Sequence, residues 1–269
     1  MFSQNSFWTK AALASATVAA STILSASMAA AQQVDLELFL SLDNSGSIDS
    51  GEYNLQREGY AKAFETAALQ AAIASKPKGV AVALGQWSTT AQTPPTIGWT
   101  LLKNAADANA FATTIRGITQ FQSGLTCVAC GINAAVASIQ GNTFFGGGRV
   151  IDVSGDGSQN QNATNGPATT PAARNAAEAL GIRINGLAIL GSEAGLQAWY
   201  ENNVKTSDGF VLAANNFADF DRAVALKITK EIEQAPTNSV PGPLPLLGAG
   251  MAFGFSRRLR KRINLATLA

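Results

Sequence analysis

Apolar and polar positions along this chain fall into blocks with two different spacings. Residues 34–41 alternate apolar and polar and lead into a strand predicted at 36–42, while 80–87 and 149–153 read as short, nearly continuous apolar strands. Between them lie stretches with helical spacing. A helix is predicted over 52–75, opened by the capping-box-like Asp49-Ser50-Gly51-Glu52 and closed before Lys76-Pro77. The Pro94-Pro95 loop leads to an edge strand near 97–101, followed by helices at 104–116 and 128–139. After 149–153 comes an Asn/Gly/Pro-rich loop at 158–168. Then follow a helix at 169–180, a strand at 182–190, a helix at 193–203, a strand at 209–213 and a last helix at 217–233. Strands alternating with helices imply an α/β domain whose mostly parallel sheet is covered by helices on both faces. Ligands of such sheets bind beyond the carboxyl ends of the strands. Residues 32–235 have the size of one domain.

The two ends follow other rules. Residues 1–31 carry Lys10, an alanine-rich apolar stretch from 11 to 28 and Ala29-Ala30-Ala31, the layout of a cleaved secretory signal peptide. Residues 236–269 contain Val240-Pro241-Gly242-Pro243, twelve mostly apolar residues at 244–255 and a basic cluster at 257–262. As a helix, twelve residues span roughly 18 Å, short of the ~30 Å hydrocarbon core. The tail therefore implies transient membrane association, with a short retained membrane tail as the alternative.

Removing the ends changes the charge. The whole chain has 19 basic and 18 acidic residues. Without Lys10 and the five basic residues of 257–262, 13 basic residues face the same 18 acidic ones, and the domain is net acidic. Nothing in it suits nucleic acid, whose binding rests on phosphate neutralisation by Lys and Arg. There is no histidine, which excludes a Ser-His-Asp triad, a Cys-His pair and a histidine-ligated zinc site.

The chemistry that remains is concentrated after the first strand. Asp43-Asn44-Ser45-Gly46-Ser47 places one carboxylate and two hydroxyls at alternate positions of a tight turn. Such oxygens suit magnesium, manganese or calcium rather than softer metals. Asp, Asn, Ser and Gly also crowd ordinary turns for conformational reasons. Two further oxygen-bearing loops follow in order. Thr126, in Ser123-Gly124-Leu125-Thr126, precedes the helix at 128–139, and Asp156 lies in Ser154-Gly155-Asp156-Gly157, after the strand at 149–153.

These three loops resemble the metal-ion-dependent adhesion site (MIDAS) of von Willebrand factor type A domains. The segments Arg149 to Gly157 and Ile184-Asn185-Gly186-Leu187 are similar to those of a bacterial exported subgroup of undefined function. The resemblance implies a single Rossmann-like type A domain over 32–235. Ser45 and Ser47 would bind a divalent cation, Mg²⁺ first and Mn²⁺ or Ca²⁺ otherwise, directly. Asp43 and Asp156 would act through bound waters, and Thr126 directly or through water. One position is left for an acidic side chain of a protein partner.

The C-terminal layout resembles the PEP-CTERM sorting signal of Gram-negative bacteria, with Gly242 where glutamate is usual. It implies an exosortase-type processing enzyme and delivery from the periplasm and inner membrane to the cell surface or the extracellular matrix. Cys127 and Cys130 form a CxxC that serves either redox chemistry or a short disulfide. In an exported chain the expectation is a disulfide stiffening the Thr126 loop. Asp152 is expected to make a buried structural bond, Asp49 to cap a helix, and Trp87 to pack or to line the rim of the site.

The function expected is an exported, cation-dependent protein-binding module and not an enzyme. A structural surface protein with a vestigial site is one alternative. A hydrolase using the metal as a Lewis acid is the other, and no general base stands apart from the ligands to support it.

Overall fold

The computed structural model describes residues 31–236, so the segments expected to be a signal peptide (1–31) and a sorting tail (236–269), Ala31 and Pro236 apart, lie outside the described residues. Strand β1 (Gln32–Asp43) is the centre of a six-stranded sheet. It is flanked by β2 (Val80–Trp87) and β4 (Phe144–Gly155), with β3 (Ile97–Leu102) outside β2, and β5 (Arg183–Ile189) and β6 (Val211–Ala214) outside β4. All pairings are parallel except that of β2 with β3. Because side chains alternate across a strand, β1 serves two cores. Leu36, Leu38, Leu40 and Leu42 meet helices α1 (Ser50–Glu65), α2 (Ala67–Ala74), α3 (Ala105–Arg116) and α7 (Phe220–Glu233). Phe39 meets the opposite layer of α4 (Val128–Gly141), α5 (Thr170–Ala179) and α6 (Leu196–Asn203). Among the described residues the domain thus has six strands and seven α-helices, the architecture expected from the alternation.

Four boundaries differ from the sequence expectation, the first two for identifiable reasons. The helix expected to run through 52–75 is divided at Thr66. That residue is extended, donates its hydroxyl to Ala63 O (2.8 Å) and accepts from Leu69 N, so it ends α1 and caps α2. Strand β4 begins at Phe144, earlier than expected, and runs through Gly146-Gly147-Gly148. A methyl group on Gly146 would lie 2.5 Å from Gly148 O and 2.9 Å from Glu37 N, so the glycines that look like breakers let the strand pair closely with β1. The helix expected at 193–203 begins at Leu196, which leaves Glu193 in a loop, and the last helix opens with a 3-10 turn at Phe217–Asp219.

One polar cluster crosses the first core. Lys227 on α7 is fully buried, 2.7 Å from Asp152 Oδ2 in an oblique ion pair, and donates a hydrogen bond to Glu231 Oε1 at 2.8 Å. Asn185 Nδ2 donates to the same Glu231 oxygen, and the Tyr60 hydroxyl reaches Asp152 Oδ1 (3.2 Å) and Ser154 Oγ (3.0 Å). Asp152 is therefore structural, tied to α7 and α1. Two carboxylates share one ammonium, and burial together with the neighbouring Asp152 charge pushes Glu231 up to about 8.

Candidate metal centre

Asp43 ends β1 opposite Trp87, and the chain then turns sharply across the carboxyl edge of the sheet. The turn is secured from both sides. Asn44 N donates to Trp87 O and Asn44 Nδ2 to Gln86 Oε1, while Ser45 N donates to Asp43 Oδ1 at 2.7 Å. This arrangement directs the two serine hydroxyls to one point. Ser45 Oγ and Ser47 Oγ are 3.2 Å apart, and Ser47 Oγ donates to Asp156 Oδ1 at 2.7 Å. Asp156, in the loop leaving β4, is held from its far side by the Ser192 hydroxyl, 2.8 Å from its carbonyl and 3.2 Å from Oδ2.

Thr126 lies in a second loop that is tied to the serine turn through its backbone. Gly46 N donates to Gly124 O and Cys127 N to Ser88 O, which ties the segment before α4 to both neighbouring strand ends. Asn160 accepts from Thr126 N through Oδ1 (2.8 Å), and the backbone amides of Asn160 and Gln161 donate to Thr126 O. Cys127 and Cys130 are joined as a disulfide in the first turn of α4, with Cys127 as its N-cap. Sequence reasoning missed Ser192, which carries no local signal. Asn160 fell within a loop notable only for its amide side chains.

Among the described residues no Lys or Arg forms an ion pair with Asp43 or Asp156. Asp43 is fully buried and its Oδ2 has no hydrogen-bond partner. A methyl group on Gly155 would stand 2.6 Å from that oxygen and 2.7 Å from the Tyr200 hydroxyl, so glycine is what makes room for both. Burial, with the Asp156 charge adding to it, pushes Asp43 up to about 8 against the opposing Ser45 amide bond. Burial first, then the charges of Asp43, Asp156 and Glu193, raises the Tyr200 phenol well above its ordinary value. An orphaned buried carboxylate oxygen beside convergent hydroxyls fits a hard divalent cation. Among the described residues no group of three or more His, Cys, Asp or Glu could hold a metal, so a cation here depends on the hydroxyl oxygens. Trp87 is packed inside, against Gly131, and is not a rim residue.

Residues 33–236 match the family model described as "Protein of unknown function (DUF1194)". The chain belongs to this family. No curated protein matches it in sequence. Solved structures share the fold of this DUF1194 domain. Proximal thread matrix protein 1 from the mussel byssus is 15% identical with a TM-score of 0.53, over 76% of this chain and 47% of that one. The PilB minor pilin of Streptococcus sanguinis is 16% identical with a TM-score of 0.54, over 78% and 64%. The pilus adhesin SpaC of Lactobacillus rhamnosus GG, in its open conformation, is 14% identical with a TM-score of 0.52, over 74% and 30%. The DUF1194 chain spans less than two thirds of each of these proteins. At such identities the likeness establishes a type A-like fold.

Proposed function

We propose that this DUF1194 protein is an exported, cation-dependent protein-binding module of the cell surface or extracellular matrix. The observation carrying the reading is the buried Asp43 Oδ2, without a hydrogen-bond partner, at the start of the turn that brings Ser45, Ser47 and Asp156 together. Those four residues and Thr126 would hold the cation, with Mg²⁺ the first expectation. When bound, the ion supplies an electrophilic centre for an acidic side chain of a partner protein. The chain's own contribution is to orient neutral hydroxyls by backbone bonds and to limit the site to two nearby carboxylates, which leaves a divalent ion receptive to a third from outside. Support for the chemistry comes from a structure of the mussel matrix protein with a zinc-occupied MIDAS motif, 15% identical with a TM-score of 0.50. Support for an adhesive rather than enzymatic role comes from the pilin, adhesin and matrix proteins that share the fold. Export to the surface of a Gram-negative cell, processing by an exosortase-type enzyme and transient membrane association rest on the sequence of the two ends. Among the described residues no helix is long and apolar enough to cross a membrane.

Thermal unfolding with and without millimolar Mg²⁺, Mn²⁺ or Ca²⁺, beside Asp43→Ala, tests the site. Binding to the native state alone stabilises by about 2.7 kcal/mol at a hundredfold excess over Kd. A shift abolished in the variant is the expected result. The same absence of shift in both proteins overturns the reading.

A further inference from the structure

Tyr200, on α6, carries a hydroxyl into the second core that meets no hydrogen-bond partner, although the side chain is fully buried. Burying such an oxygen without a bond is costly, and a tyrosine inside a protein usually finds a partner for it. The sequence makes a passage for this ring. A methyl group on Gly186 of β5 would stand 2.8 Å from Tyr200 Cδ1, and one on Gly155 of β4 would stand 2.7 Å from the hydroxyl. These glycines lie on neighbouring parallel strands, Gly186 beside Val153 and Gly155 beside Ala188. The side chain therefore spans from β5 to β4 and carries its oxygen to the end of β1, where Asp43 lies. Asp43 Oδ2 would be 2.6 Å from the same methyl on Gly155, so the two oxygens are no further apart than those two lengths laid end to end. Neither has a hydrogen-bond partner. After burial, the charge of Asp43 is what most raises the phenol, ahead of Asp156 and Glu193. A phenylalanine would fill the same passage, so the hydroxyl is a separate feature of the sequence.

We propose that the Tyr200 hydroxyl is the inner partner of Asp43, donating to Oδ2 directly or through one water and so positioning the carboxylate for the cation. The proposal rests on the cation-binding reading above. The two groups are complementary, since a phenol offers one proton and a carboxylate oxygen accepts more than one bond, which leaves Oδ2 capacity on the cation's side. Asp43 Oδ1 is already committed to the amide of Ser45 at 2.7 Å. A bond to Oδ2 from the core side fixes the plane of the carboxyl group, whose last torsion is otherwise broad. Tyr200 thus acts through Asp43, and it leaves the site with two carboxylates because it adds a donor and no charge. Loss of a partner of this kind typically weakens metal affinity about 10–100-fold, and the lower end applies where the carboxylate itself acts through bound water.

The test is a double-mutant cycle on the full chain, with Tyr200→Phe, Asp43→Ala and the two combined, unfolded thermally without cation and then titrated with Mg²⁺ and separately with Mn²⁺. Removing a bonded hydroxyl lowers the unfolding temperature, whereas removing an unbonded one raises it, because a buried oxygen without a partner is then gone. The expected result without cation is a lower unfolding temperature for Tyr200→Phe, a loss that largely disappears in the Asp43→Ala background. With cation, Kd should be about 10-fold weaker in Tyr200→Phe, a change that a purely structural bond would not produce. An unfolding temperature that rises in Tyr200→Phe, or falls equally in both backgrounds, would overturn the pairing and leave the cation centre standing. Coupling between the two residues with equal Kd values for wild type and Tyr200→Phe would overturn the positioning role alone. Coupling with no binding by the wild type would overturn that role together with the cation-binding reading.

Discussion

Replacing Lys227 by methionine separates the charge of the buried cluster from its volume. Methionine fills nearly the same space, so the cost comes from removing the ammonium that lies 2.7 Å from Asp152 and 2.8 Å from Glu231, all three side chains being buried. What remains is one partner for each acid, Tyr60 on Asp152 and Asn185 on Glu231, while Glu231 Oε2 already has none. Breaking a buried pair in this way costs about 3–5 kcal/mol, a large share of the roughly 5–15 kcal/mol that holds a domain folded. The pH dependence identifies the mechanism. In the wild type Glu231 is raised towards about 8, so the folded state binds the proton more tightly than the unfolded state. That contribution is fully present below the ordinary glutamate range near 4.5 and is lost as pH rises through about 8. Without Lys227, whose charge opposes the shift, Glu231 depends on its proton even more. The penalty should therefore be greatest near pH 8 and fall to about 2 kcal/mol or less near pH 5, since every tenfold gain in proton affinity on folding is worth about 1.4 kcal/mol. Urea unfolding of both proteins from about pH 5 to pH 8 measures this, with Lys227→Met/Glu231→Gln recovering part of the loss at the alkaline end. A penalty under about 1 kcal/mol, or one that grows on acidification, would refute the account.

Two further substitutions examine how the elements are set. Gly131→Ala should destabilise by about 1–3 kcal/mol in urea unfolding, because the added methyl would stand 2.4 Å from Trp87 Cδ1 inside the second core; a neutral result would mean that the indole moves freely. Asp49→Ala should cost about 1 kcal/mol in the same assay, since its carboxylate accepts from Gly51 N (2.7 Å) and Glu52 N (2.9 Å) while Glu52 accepts in return from Asp49 N; no loss would show that packing alone starts α1.

What was legible in the sequence is what neighbouring residues encode. The alternation of strands and helices, the cap at Asp49 and the order of the Asp43, Thr126 and Asp156 loops all follow from local spacing and turn chemistry, and the parallel sheet follows from the alternation. Thr66 shows the limit of that reading, because a hydroxyl that caps the next helix looks the same in sequence as one exposed in mid-helix. The glycines at 146–148 show it again: they break a strand in isolation and permit one beside β1, where the close approach of Glu37 decides the outcome. Only the tertiary structure could bring Ser192 and Glu193 to the Asp156 loop, or Lys227 on the last helix to Asp152 on a central strand. Local periodicity determines which residues form an element, whereas the desolvation of a charge depends on every element packed around it. The fold was therefore readable from sequence, and the electrostatics of the centre and of the core emerged only once the layers closed over them.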